Sequence, residues 1–211
     1  CTQCSAVVDV SQGVGADLAH YEQANGSGQL PQIPLGRSGT LALGGAALPW
    51  QVVGYVERCE VAQSPDDEQS FWREYLLYHR TEGFAFIVDA QDGWSWTAPI
   101  TGVPEKAGGD TVRYQGATYR KLYDYTGMVT YVLGEFYWQV TRNQRTFNSD
   151  YQGTGAASTK RLNREMTGSG ESSEIVWSQG DTLSADQVMK AFGLAPEKTA
   201  AMQRDATPTA L

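Results

Sequence analysis

Long apolar runs are missing from this sequence. No stretch of about 18 or more apolar residues occurs, which excludes a membrane-spanning helix on hydropathy grounds. Cysteine is scarce: three residues, at 1, 4 and 59, make no disulfide framework. Histidine is scarcer, with only His20 and His79. The usual catalytic signatures are absent too. There is no G-x-S-x-G elbow, no H-E-x-x-H pair, no G-x-x-x-x-G-K-[ST] phosphate loop and no G-x-G-x-x-G at a strand–helix junction. Basic residues are outnumbered, 16 against 24 acids, and a net charge of -8 argues against a general nucleic-acid binder. Residues 1–105 hold 13 acids and 4 bases, while residues 106–211 hold 11 and 12. Solvated loops account for this imbalance in the ordinary case; a basic partner for the acidic half is the sharper reading.

What the chain does have is aromatic and glycine content: 11 Tyr, 6 Trp, 6 Phe and 23 Gly in 211 residues. That mixture suits short strands joined by tight turns, in a chain long enough for one large β domain. Strands are expected near Leu41–Leu43, Trp50–Val61, Phe71–His79, Phe84–Val88 and Trp94–Thr97, with Asp92-Gly93 as a hairpin turn and Gly54 as a bulge or a close backbone approach. A second set follows Gly116: Arg120–Tyr125, Met128–Leu133 and Glu135–Thr141. The two sets read as an internal duplication over about 40–99 and 110–180, forming two antiparallel meanders packed as a sandwich or a partly open barrel. Val103–Asp110 reads as a connection. Residues 152–173 read as a long polar loop with a short strand or helical turn around Lys160–Met166, and Glu174–Ser178 as one more strand. Ser184 and Gln187 have capping-box spacing before Val188, Met189 and Phe192, and Gly193 supplies a stop. The fold class is thus mainly β with a short C-terminal helix. The chain divides into a Cys-bearing start (1–12), a linker (13–34), the β domain (35–194), and a second helix from Pro196 with a tail (195–211).

Several motifs resemble a known family. Trp50-Gln-Val-Val-Gly-Tyr55, Trp72-Arg-Glu-Tyr-Leu-Leu-Tyr78, Gly134-Glu-Phe-Tyr-Trp138, Asp150-Tyr151 and Trp177-Ser-Gln-Gly-Asp181, together with Pro34-Leu-Gly-Arg-Ser-Gly39, are similar to the bacterial domain of unknown function DUF4178 over roughly residues 34–194. The resemblance implies a β-rich fold of two similar halves and no defined activity. It also implies a bacterial cytoplasmic setting, genes for polyamine-synthesis homologues and membrane-stress proteins nearby, and in some members an N-terminal zinc ribbon.

Cys1-Thr-Gln-Cys4 has the spacing of half a zinc site, but structural zinc takes four ligands. A ribbon completed by upstream residues, a mature lipoprotein lipidated at Cys1, and free thiols without a role are the three readings. The start at Cys1 rather than Met suggests a processed product or an excerpt. Cys59 reads as a small core residue and His79 as a surface or edge residue.

Two carboxylates stand out. Glu74 lies beside Trp72 and Tyr75, and Glu135 beside Tyr137 and Trp138, at corresponding places in the proposed repeats. Each could pair with an arginine or backbone N–H groups. Together they could hold a polycation such as a polyamine against aromatic faces, or do acid–base work if they converged. Asp150 reads as a turn carboxylate accepting backbone N–H bonds, and Trp177 as a core residue at a strand end, or a partner contact if exposed. The leading expectation is a non-enzymatic binding or assembly module with a protein partner, no nucleic acid and no cofactor in the β domain; peripheral membrane association remains compatible with it. A polycation binder is the alternative, and an uncharacterised enzyme the third reading.

Overall fold

Alternating buried and partly exposed residues, as in Gly83–Ala90, give the chain the two-residue period of half-buried strands. The computed structural model describes residues 31–195, apart from 65, 68, 169, 171 and 172. The Cys1–Cys4 segment, most of the expected linker and the helix expected from Pro196 lie outside the described residues. Eleven strands follow in order: β1 (Ser38–Ala42), β2 (Ala47–Glu60), β3 (Phe71–His79), β4 (Gly83–Ala90), β5 (Gly93–Pro99), β6 (Glu105–Gly108), β7 (Thr111–Tyr114), β8 (Ala117–Gly134), β9 (Arg145–Gly153), β10 (Lys160–Thr167) and β11 (Glu174–Leu183). Helix α1 (Ala185–Phe192) comes last.

The strands pair in the order β1-β2-β3-β4-β5-β11-β10-β9-β8-β7-β6, and β2 also pairs with β8. That extra seam closes eight strands, β2–β5 and β8–β11, into an antiparallel barrel. Two four-stranded meanders build it. Their first strands pair (Gly54 with Gly134, Glu60 with Gly127), and so do their last (Trp94 with Leu183, Pro99 with Ser178). The expectation of two meanders holds, and closure is more complete than a sandwich or partly open barrel.

The residue assignments of the second meander differ from expectation. Arg120–Tyr125 and Met128–Leu133 belong to one 18-residue strand, β8. Glu135–Thr141 forms no strand, because β8 stops at Gly134 with φ +96°, a conformation that side chains resist. A Cβ there would also strike the Val53 carbonyl oxygen and stand 2.8 Å from Gly54 Cα. Lys160–Met166 is a full strand, the residues before it at Arg145–Gly153 form strand β9, and the connection at Val103–Asp110 contains β6. These strands carry polar residues at positions where apolar alternation would mark a strand. Gly54 sits at the register shift in β2, where a Cβ would lie 2.8 Å from both the Glu135 oxygen and the Phe136 ring.

Consecutive strand residues face opposite ways. One face of the first meander carries Trp50, Val52, Tyr55, Tyr75, Ile87 and Trp94, a fully buried apolar cluster joined by Tyr131 and Leu183. Helix α1 contributes Val188 and Phe192 to it, and Ile33, expected in the linker, is buried there. The helix is capped as its sequence suggests: Gln187 N–H donates to Ser184 Oγ (3.1 Å), Ser184 N–H donates to Gln187 Oε1 (2.8 Å), and Gly193 closes it at φ 58°. A second cluster, Val112, Tyr119, Tyr151, Leu162 and Trp177, lies on the same face of the second meander. Cys59 is a buried free thiol.

Replacing Gly134 with Ala combines an unfavourable positive φ with a backbone collision, and roughly 2–4 kcal/mol of stability is expected to go. Urea unfolding checks this; a midpoint equal to that of the wild type would contradict it.

Candidate functional site

The opposite face looks across the ring. Its β2 residues are Val56 and Arg58, its β3 residues Trp72, Glu74, Leu76 and Tyr78. Arg58 Nη1 donates to Glu165 Oε2 on β10 (3.2 Å) and to Thr146 Oγ1 on β9 (3.3 Å). β2 and β10 are three strands apart by the shorter way round, so this contact crosses the barrel. Arg58 Nε lies 3.2 Å from Glu74 Oε1 on β3, an ion pair too poorly aligned for a hydrogen bond. Trp72 Nε1 donates to that same oxygen at 2.8 Å. Burial alone would lower the Arg58 pKa, but Glu74 and Glu165 more than offset it, and the guanidinium stays charged. Burial raises the Glu74 pKa above the ordinary carboxylate range, with Arg58 acting against that rise.

The network continues along β8, β9 and β10. Asn148 Nδ2 donates to Thr146 Oγ1 (3.0 Å), and Asn163 Nδ2 donates to Asp150 Oδ1 (2.7 Å). Tyr125 also hydrogen-bonds Asp150, and its ring meets Trp72 edge-on at 5.6 Å. Packed atoms enclose the Asp150 carboxylate, and burial pushes its pKa up to about 6. Asp150 is therefore a mid-strand carboxylate held by side chains, not a turn residue served by backbone N–H groups.

Toward one end the same face turns aromatic. The segment after β8 lays Tyr137 and Trp138 against β4, with Phe136 against Trp138: Tyr137 lies 4.4 Å from Phe84, Trp138 lies 5.8 Å from Phe86 and 5.2 Å from Phe136, and Phe84 in turn lies 5.2 Å from Tyr78. Tyr137 and Tyr78 remain 52% and 38% exposed, so this ring cluster is open to solvent.

The sequence-nominated residues thus separate. Glu74 and Trp72 join the central network. Glu135 is exposed in the aromatic segment, and its N–H donates to the Val53 carbonyl (2.7 Å). Because β8 is one strand, the topological counterpart of β3 is β9, and Glu135 does not match Glu74. Tyr75 faces the other way, fully buried, and its hydroxyl accepts the Gln32 N–H (3.2 Å). Trp177 is buried 5.6 Å from Tyr151 in the second apolar cluster. Sequence reasoning missed Arg58 and Glu165. The signal was there in the neighbouring opposite charges Glu57-Arg58 and Arg73-Glu74. Strand alternation sends one member of each pair to either face: Arg58 with Glu74 of the adjoining strand on the inner face of the ring, Arg73 with Glu57 (4.0 Å) and with buried Asp89 (3.2 Å) on the other side. Among the described residues no group of three or more His, Cys, Asp or Glu side chains is placed to hold a metal ion.

Fold and site together define a closed antiparallel β-barrel domain with a buried charge network and a solvent-open aromatic cluster. Residues 46–185 match the family model described as Domain of unknown function (DUF4178), and the chain belongs to that family. No curated protein and no solved structure matches it.

Arg58→Met strands Glu74 without its cation. A loss of about 3–5 kcal/mol is expected at pH 7, and a smaller loss at pH 5, where Glu74 can take up a proton. Asp150 acts in the other direction. A carboxyl with a folded pKa of about 6 and an ordinary value of 3.8 binds its proton more tightly when folded. Stability from this group is fully present below the ordinary value and falls as pH rises to about 6, by at most about 3 kcal/mol. Asp150→Asn should flatten that part of the stability–pH curve and raise stability at pH 7. Chemical denaturation at several pH values reads both variants.

Proposed function

We propose that this domain is a non-catalytic binding module that receives a basic segment of a protein partner on its aromatic cluster. The observation that carries the reading is the open run of rings from Tyr78 through Phe84 to Tyr137, with two of them substantially exposed. Exposed aromatic faces attract lysine and arginine side chains, and aromatic anchors dominate many interfaces. Glu135 and Tyr137, two residues apart in the chain, are both exposed, and a chain of net charge -8 favours approach by a cationic partner. The central carboxylate Glu74 is engaged by Arg58 and Trp72, which suits a structural role better than acid–base chemistry.

The exposure of both Glu135 and Tyr137 in one short segment also favours a second reading, in which the same cluster takes a small polycation such as a polyamine. Calorimetry with a lysine-rich peptide and, separately, with spermidine tests both. Saturable binding of the peptide, weakened about tenfold by Tyr137→Ala, is expected. Binding of spermidine alone selects the second reading. No heat from either probe, or heat unaffected by Tyr137→Ala in a variant that unfolds at the wild-type temperature, overturns the assignment.

A further inference from the structure

A groove lies on the second meander, away from the aromatic cluster. It runs between the segment after β5, the β6–β7 hairpin and strands β10 and β11, and encloses about 570 Å³. That volume is in the range of small-molecule sites, roughly 300–1,000 Å³. Its floor includes the buried Val112, Tyr151 and Trp177. Its rim is apolar and exposed: Val103 is 74% accessible, Ile175 47% and Val176 38%. Exposed aliphatic side chains gathered on one concavity are a costly arrangement for a surface with no apolar ligand.

The charge of the groove is opposite to that of the molecule. Lys106 and Arg164 line it, and among the described residues no aspartate or glutamate does. Arg164 has no ion pair among the described residues. The carboxylate that acts on it, Asp124, is already bound by Lys121 at 2.9 Å and by the Ser149 hydroxyl at 2.6 Å. In a chain of net charge -8, a concavity offering two cations, no carboxylate and an aliphatic rim selects an amphiphile with a negative head.

We infer that this groove binds a fatty-acid carboxylate with a chain of about twelve carbons. The acyl chain lies along Val103, Ile175 and Trp177, and the carboxylate pairs with Arg164 and Lys106. Burial keeps the Tyr151 phenol protonated, so the floor adds no negative charge against the head group.

Calorimetry with laurate below its micellar concentration tests this, with dodecyltrimethylammonium as the cationic counterpart of equal chain length. One-site saturation by laurate and none by the cationic amphiphile is expected. Arg164→Gln should weaken laurate about tenfold, the loss of one charge-assisted contact. Val103→Asp should abolish binding; because Val103 is mostly exposed, its thermal unfolding should match the wild type. Absence of saturation, equal binding of both amphiphiles, or laurate binding unchanged in Arg164→Gln would each overturn the inference.

Discussion

Arg58 carries a positive charge into the middle of a ring of strands, and much of the surrounding sequence is arranged to satisfy it. The residue is 6% exposed, and its guanidinium touches β3, β9 and β10 from β2. A buried ion pair seldom adds much stability over a well-packed apolar contact, because desolvation offsets most of the attraction. What it adds is a constraint: Glu74 holds the cation within the first meander, and the two meanders must be placed so that Thr146 and Glu165 of the second reach the same cation. The apolar clusters on the other face could tolerate some sliding; this charge cannot.

The polar lining also explains how strands with so few apolar residues hold their places. In β9 and β10, Asn148, Asp150, Asn163 and Glu165 occupy positions that a hydrophobic core would give to valine or isoleucine. Hydrogen bonds among them replace apolar packing on that face, while Tyr151 and Leu162 serve the outer cluster. Buried polar groups in such a network are tolerable when partnered, and most of these have partners. The aromatic segment after β8 then covers one end of the same face, so polar centre and aromatic mouth form a single continuous surface.

The first meander was legible in the sequence because its strands alternate apolar and polar residues and its turns carry Gly and Asp-Gly. The capping box at Ser184 and the irregularity at Gly54 were legible for equally local reasons. The second meander was not. Thr126 and Gly127 look like a turn between two strands, yet β8 runs through them, because both its flanks are paired by β9 and β2. Conversely, Glu135–Val140 has strong strand composition but no partner strand once Gly134 has turned the chain. In both cases tertiary pairing overrode local propensity. The same limit applied to the candidate site. Glu74 was singled out as a charge in a strand and pairs with Arg58 on the adjoining strand, but the second carboxylate on that cation, Glu165, is 107 residues away in sequence, and only the ring brings it in.

The two seams that close the barrel have a consequence for how the chain reaches this state. Every other pairing joins sequence neighbours: each meander, and the outlying hairpins, zips up through connections that are local in sequence. The β2–β8 and β5–β11 seams instead join residues as distant as Gly54 and Gly134, or Trp94 and Leu183. Loop-closure entropy falls almost wholly on these two events, which places the chain among slow, high-contact-order folders. Until they occur, β2 and β5 expose unpaired edges and Arg58 lacks its cross-barrel partner. The vulnerable species on the folding route is therefore an open-edged half-barrel, the form in which strand exchange between molecules competes with closure.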